Sequence, residues 1–115
     1  MSAIIQPDTS KIINLREQIQ YASEGIVSRV LLKDENCQYT LFCLAAGTDI
    51  SEHTSTRNAT VNVLEGKGIL TLEGKEIALE PGVFVFMKAN APHALKTEEN
   101  LAFLLTLSEP TEKDE

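Results

Sequence analysis

The tetrapeptide Leu-Glu-Gly-Lys occurs twice in this chain, at residues 64–67 and 72–75. Each copy closes a short run of β-branched and aliphatic residues, Thr60–Leu64 before the first and Ile69–Leu72 before the second. Glycine supplies the positive φ that a tight turn needs. We therefore expect two hairpin turns with the same chemistry. Five of the six glycines lie between Gly47 and Thr97, and the same window holds the only two histidines, His53 and His93. Each histidine sits at the edge of a strand-like segment. We read the window as the wall of a small β-barrel that brings both imidazoles into one pocket.

The rest of the chain fits an all-β fold with little helix. Residues 1–25 read as an N-terminal arm and edge segment, in which Ile4 and Ile5 could add a short edge strand. Within it, apolar residues at 12, 15 and 19 have helix-like spacing, which also fits a strand followed by one helical turn. Ile26–Lys33 is β-rich, Asp34-Glu35-Asn36 is a turn cluster, and Cys37–Ala46 is the next strand, so the two pair as a hairpin. Ile77–Leu79 is a short strand before the turn Glu80-Pro81-Gly82. Val83–Met87 is apolar throughout, as expected of a strand covered on both faces. Leu101–Leu107 is the last strand, apolar on both faces. The acidic tail, residues 108–115, is expected to fray. Barrel and tail thus divide as 26–107 and 108–115 within one domain.

Composition narrows the function. With 115 residues, 43% of them hydrophobic, the chain can bury a single core. A formal charge of −7 argues against nucleic acid and anionic membranes, which reward basic patches. The first residues have neither a basic start nor a long apolar stretch, so the expected location is the cytoplasm. Cys37 and Cys43 are then expected to be reduced. They share a strand face but lie about 20 Å apart at strand rise, too far for a bridge. Asn58-Ala59-Thr60 matches a glycosylation sequon by chance. Tyr21 and Tyr39 read as packing residues.

The residues of the window resemble the cupin superfamily. Its first motif reads Gly, five residues, His, one residue, His, three or four residues, Glu, six residues, Gly. Here Gly47, His53, Ser55, Ala59 and Gly66 stand in that register. The second motif reads Gly, five residues, Pro, one residue, Gly, two residues, His, three residues, Asn. Here Gly82, Lys88, Asn90, His93 and Thr97 occupy those places. The chain looks most like the small, single-domain bacterial cupins of unassigned function. The resemblance implies a jelly-roll β-barrel (a double-stranded β-helix), commonly dimeric, with a pocket often holding a divalent metal. Metal-binding cupins typically use three His and one Glu. By that resemblance His53 and His93 are the retained metal ligands, while Ser55 replaces the second His of the first motif and Ala59 the Glu.

Three readings of the site follow. Two neutral imidazoles suit a divalent transition metal, namely Ni, Zn, Mn, Fe or Cu, completed by water or other side chains. Glu52 should point away from His53 across the strand, and Asp49, Asn58, Glu98 or Glu99 would join only if a loop folds inward. Alternatively His53 or His93 is a general base in a metal-free pocket. In the third reading the pocket binds a small molecule without chemistry, with apolar walls and with the two histidines and Ser55 as polar groups. Arg57 could pin a carboxylate or phosphate at the mouth, or be a solvated loop charge. The sequence has no Ser-His-Asp triad, phosphate loop or zinc-finger spacing. It favours a small-molecule-binding protein over the alternative, a metal-dependent oxygenase or isomerase. Outward-facing Val27 and Leu31, with the two-faced strand Leu101–Leu107, predict a homodimer that covers them.

Overall fold

The computed structural model describes residues 3–111. It contains one helical turn and nine strands: α1 (Leu15–Gln18), β1 (Ile26–Lys33), β2 (Cys37–Leu44), β3 (Asp49–His53), β4 (Asn58–Glu65), β5 (Gly68–Leu72), β6 (Lys75–Leu79), β7 (Phe84–Met87), β8 (His93–Thr97) and β9 (Leu101–Ser108). The strands form two antiparallel sheets, ordered β1-β2-β9-β4-β7 and β3-β8-β5-β6. This is the jelly-roll arrangement expected, and it packs the inner faces of two sheets around one core.

Alternation decides which side chains enter that core. Along β4, Ala59, Val61 and Val63 are buried while Thr60 and Asn62 are half-buried on the other face. The inner core gathers these with Leu44, Leu70, Leu79, Val85, Met87, Leu95, Leu101 and Phe103. Burial of each large aliphatic side chain stabilises by roughly 1.5–3 kcal/mol.

A second cluster lies on the outer face of the larger sheet. Leu31, Leu41, Cys43 and Ala102 are buried there beneath Ile4, Ile13, Leu15, Ile19 and Tyr21 of the N-terminal segment. Val27 and Leu31 are thus covered by the same chain, which corrects the expectation that they await a second copy. Backbone N–H groups of Ile4 and Ile5 donate to the carbonyls of Val30 and Leu31, at 3.2 and 2.7 Å, and so cover part of the free edge of β1 without forming a strand. The helix-like spacing at 12, 15 and 19 resolves into a single turn. Asn14 Oδ1 caps it by accepting from the Arg16 N–H at 3.0 Å, and Ile12 stands 97% exposed outside it.

The two Leu-Glu-Gly-Lys segments do different work. The second is a hairpin between β5 and β6, with Leu72 opposite Lys75 and positive φ at Glu73 (51°) and Gly74 (83°), as a two-residue type I′ turn requires. The first is no hairpin. β4 pairs with β7 and β9 in one sheet, and β5 pairs with β6 and β8 in the other. Glu65-Gly66-Lys67 therefore carries the chain across from sheet to sheet. Gly66 has φ 93° and lies against the backbone of Asn100 and Leu101, leaving no room for a Cβ.

The apolar run Val83–Met87 is also corrected. Val85 and Met87 are buried, but Phe84 and Phe86 are 64% and 56% exposed. β7 is an edge strand whose outer face is left uncovered by the described residues. At the C-terminal end, Ser108 still belongs to β9, and the Glu109 N–H donates to the Asn36 carbonyl at 3.1 Å. The tail expected to fray from residue 108 is thus held at Ser108 and Glu109; residues 112–115 lie outside the described residues, as do Met1 and Ser2 of the arm.

Candidate functional site

β3 and β8 pair antiparallel, and His53 stands directly opposite His93. Ile50 pairs with Leu95, so three steps along β3 answer two along β8. This extra residue is a bulge. It places Ile50 and His53 on one face although strict alternation would separate them. On β8, His93 and Leu95 share a face by ordinary two-residue periodicity. The four side chains line the same cavity.

The two imidazole rings lie 4.2 Å apart between centroids, inclined at 59°. Each ring is held from its own strand. His53 Nδ1 lies 3.0 Å from the Ser51 carbonyl, and His93 Nδ1 lies 2.9 Å from the Ala91 carbonyl. A carbonyl oxygen can only accept, so both Nδ1 atoms carry the proton in the neutral rings. Both Nε2 atoms are then left with a free lone pair. His53 is exposed and His93 is half-buried, which sets the pair at the cavity's mouth.

The cavity has a volume of about 240 Å³. Its walls come from both sheets: Phe42, Val61, Met87, Phe103 and Leu105 from the larger, and Ile50, Leu70 and Leu95 with the histidines from the smaller. Phe42 and Phe103 are cross-strand partners and stack with centroids 5.4 Å apart and planes 15° from parallel. None of the described lining residues is Lys, Arg, Asp or Glu.

The other residues singled out by sequence lie elsewhere. Ala59 is buried in the inner core, paired with Met87 and Leu107. Ser55 does not line the cavity. Its Oγ accepts from the Arg57 N–H at 3.1 Å, and its carbonyl accepts from the Asn90 N–H at 2.7 Å. Arg57 is half-buried in the same turn and also stands off the cavity. Asn58 Oδ1 accepts from the Ala89 N–H at 2.9 Å, tying the β4 start to the loop before His93. Glu52 is exposed beside His53, and Asp49 lines a separate shallow surface hollow. The N–H groups of Glu98 and Glu99 face the Lys67 carbonyl at 3.2 and 3.4 Å. Gly47 and Gly82 take positive φ at turns, 84° and 94°, with open space beside each.

Sequence reasoning missed the stacked phenylalanines. Phe42 and Phe103 meet only through the pairing of β2 with β9, strands separated by most of the chain. Alternation places each on an inner face, but no local signal gives their register.

The donor set was weighed against the metal that the motifs imply. Among the described residues, no group of three or more His, Cys, Asp and Glu side chains comes together. Two neutral imidazoles in an apolar cavity supply neither the third ligand of usual catalytic metal sites nor a carboxylate to offset the ion's charge. The residues present do not fit a resident metal centre.

Comparison with known proteins agrees with this architecture. A conserved protein of unknown function from Streptococcus pyogenes is similar over 97% of this chain and 98% of its own, at 28% identity and a TM-score of 0.81. A cupin 2 conserved barrel domain protein from Leptotrichia buccalis is 33% identical over 84% of this chain and 47% of its own, with a TM-score of 0.79. A cupin superfamily protein from Desulfitobacterium hafniense shares the fold at 20% identity, covering 89% of this chain and 94% of its own, with a TM-score of 0.80. None of the curated proteins matches significantly. The Cupin domain family matches residues 40–107, which span β2 to β9 and include both histidines. With that match across more than half of its length, the chain belongs to the cupin-domain family.

Proposed function

We propose that this cupin is a small-molecule-binding protein whose ligand enters between His53 and His93 and rests on the apolar walls behind them. The observation that carries the reading is the cavity of about 240 Å³ with an imidazole pair at its mouth, 4.2 Å between ring centroids. A concave, mostly apolar site with a few convergent polar groups is the usual form of a small-molecule pocket. The Nδ1 contacts to the Ser51 and Ala91 carbonyls restrict both rings, which lowers the cost of ordering them around a ligand.

The alternative is a metal-dependent oxygenase or isomerase. It would need a metal held by His53 and His93 alone, with Ser55 and Ala59 standing where the motif supplies further ligands. A transition ion on two imidazoles would exchange readily, its remaining positions taken by water or by the ligand. No step of a reaction is assigned through it.

We also propose a homodimer, on a different surface from that expected at first. Apolar area left uncovered on the outer face of β7 is centred on Phe84 and Phe86. A second copy covering this face would bury both rings.

The chain has two methionines, Met1 and Met87, and Met87 lines the cavity, which makes the ligand reading testable. Protein labelled with methyl-¹³C methionine is titrated with toluene, an apolar probe of one ring. A saturable shift of the Met87 methyl signal is expected. An unmoved Met87 signal up to the solubility of toluene would overturn the reading.

A further inference from the structure

We infer that β7 pairs edge to edge with β7 of a second copy, antiparallel, and so joins the two five-stranded sheets of a dimer into one sheet of ten strands. The inference rests on the homodimer reading above and names how the two copies meet.

An edge strand presents unpaired N–H and C=O groups on which another strand can form. The four edges of the two sheets are β1, β7, β3 and β6. Three of them are blunted. Ile4 and Ile5 donate to Val30 and Leu31 along β1. β3 carries a bulge and exposes Asp49 and Glu52. β6 exposes Lys75 and Glu76. β7, with the sequence Phe-Val-Phe-Met, has no charge and no proline, and its register with β4 runs unbroken.

The backbone decides which groups face outward. β7 meets β4 in the pairs Met87–Ala59, Phe86–Thr60, Val85–Val61 and Phe84–Asn62. Just before them the Val63 N–H donates to the Val83 carbonyl at 2.9 Å. Bonded and non-bonded pairs alternate along an antiparallel ladder, so Val85 and Met87 exchange their bonds with β4. The N–H and C=O groups of Phe84 and Phe86 therefore point to the free edge, where no loop among the described residues meets them. Such an edge is self-complementary. With Val85 on the two-fold axis, each Phe84 stands opposite Phe86 of the other copy. Each of these two pairs exchanges both of its backbone bonds, and the rings of each pair lie side by side as cross-strand aromatics.

Charge favours the same seam. Each copy carries a formal charge of −7, so most approaches of one copy to another set like charge against like. The outer face beside β7 is neutral across three strands. Phe84, Asn62 and Leu104 form one row, and Phe86, Thr60 and Thr106 the next. Lys88, next after β7, lies 3.8 Å from Glu73. Phe84 and Phe86 are more than half exposed, so two copies bring roughly 500 Å² of ring surface to the seam, about half of what a specific interface buries. The edge hydrogen bonds supply the rest of the recognition.

The test is hydrogen exchange of the full chain at single amides, above and below the dimerisation midpoint found by sedimentation. The Phe84 and Phe86 amides are expected to exchange at least about tenfold slower in the dimer. A dimer in which neither amide slows would overturn edge pairing and leave the homodimer reading standing. A chain that stays monomeric would overturn both. The register is checked with Phe84→Cys and Phe86→Cys, each made in a Cys37→Ser background and oxidised alone and as a mixture. The mixture is expected to give a cross-linked dimer, because opposite residues of a bonded pair lie about 5.5 Å apart between Cα atoms, within disulfide reach. Neither variant alone is expected to cross-link, because like residues are diagonal, roughly 8 Å apart. No cross-link in the mixture, or one formed as readily by either variant alone, would overturn the pairing of Phe84 with Phe86.

Discussion

The Tyr21 hydroxyl donates to Glu65 Oε2 at 2.7 Å, joining the segment before β1 to the end of β4. Arg16 reinforces the same place. Its guanidinium donates to the Leu64 carbonyl at 3.2 Å and lies 3.6 Å from Glu65 Oε1. The arm is therefore pinned as well as packed. Tyr21→Phe removes only the hydroxyl. It is expected to lower unfolding free energy by about 1.5–3 kcal/mol, the range for a hydrogen bond to a charged acceptor. Urea denaturation of the variant beside wild type measures this, and toluene binding should be unchanged because the cavity lies on the other face of the sheet.

The same tyrosine predicts how stability responds to alkali. Its pKa is raised, first by burial and then by the hydrogen bond and negative charge of Glu65. Burial likewise raises Tyr39 and Cys43. A free tyrosine titrates near about 10 and a free cysteine near about 8.5. Above those values the unfolded chain releases protons that the folded chain retains. The unfolded state then binds fewer protons, so unfolding free energy falls as pH rises. Stability is expected to be fully present below the free-thiol value, to begin falling through the thiol range and to fall more steeply beyond the free-tyrosine value. Urea midpoints measured across this window should show a shallower decline in Tyr21→Phe. A midpoint that stays level across the window would contradict the account.

Two glycines with nearly the same backbone angle should respond differently to alanine. Gly66 has φ 93° and Gly82 has φ 94°. At Gly82 a Cβ would meet open space, so Gly82→Ala should cost about 1–2 kcal/mol of backbone strain. At Gly66 the added carbon would fall 2.7 Å from Leu101 Cα and 2.8 Å from the Asn100 carbonyl carbon, besides colliding with the Asn100 oxygen. Backbone cannot move aside there without opening the β4–β9 pairing, so Gly66→Ala should not yield soluble folded protein. Thermal melts and expression yields of the two variants give the comparison.

Replacing both exposed aromatics tests the proposed dimer. Phe84→Ser with Phe86→Ser should leave the monomer fold intact, because both rings point away from the core. Sedimentation equilibrium at micromolar concentration is expected to show a dimer for wild type and a monomer for the double variant. A wild-type monomer under those conditions would remove the proposal.

Much of this architecture was legible in the sequence because it rests on local pattern. Runs of β-branched and apolar residues marked β1, β2, β4 and β9, and Asp34-Glu35-Asn36 marked the β1–β2 turn, where Asp34 Oδ1 accepts from the N–H groups of Asn36 and Cys37 at 3.0 and 2.9 Å. Motif spacing singled out His53 and His93, which the fold sets face to face. What escaped was long-range. Identical Leu-Glu-Gly-Lys segments became a hairpin and a sheet crossing, since the turn type depends on which strands pair afterwards. The apolar run at β7 reads the same whether two faces are covered or one, and only its place at the sheet edge decides. The cover over Val27 and Leu31 came from a segment whose spacing suggested helix, because docking against β1 outweighed a weak local preference.

The histidine anchors have one further consequence. Each imidazole takes its orienting bond from the carbonyl two residues before it, Ser51 for His53 and Ala91 for His93. The unit is a three-residue cassette that carries its own tautomer instruction. Nothing from the opposite sheet is needed to aim either ring. The walls can therefore diverge from one relative to another, changing what fits, while each ring keeps its own anchor. In this barrel the recognition chemistry and the shape of the container can evolve on separate clocks.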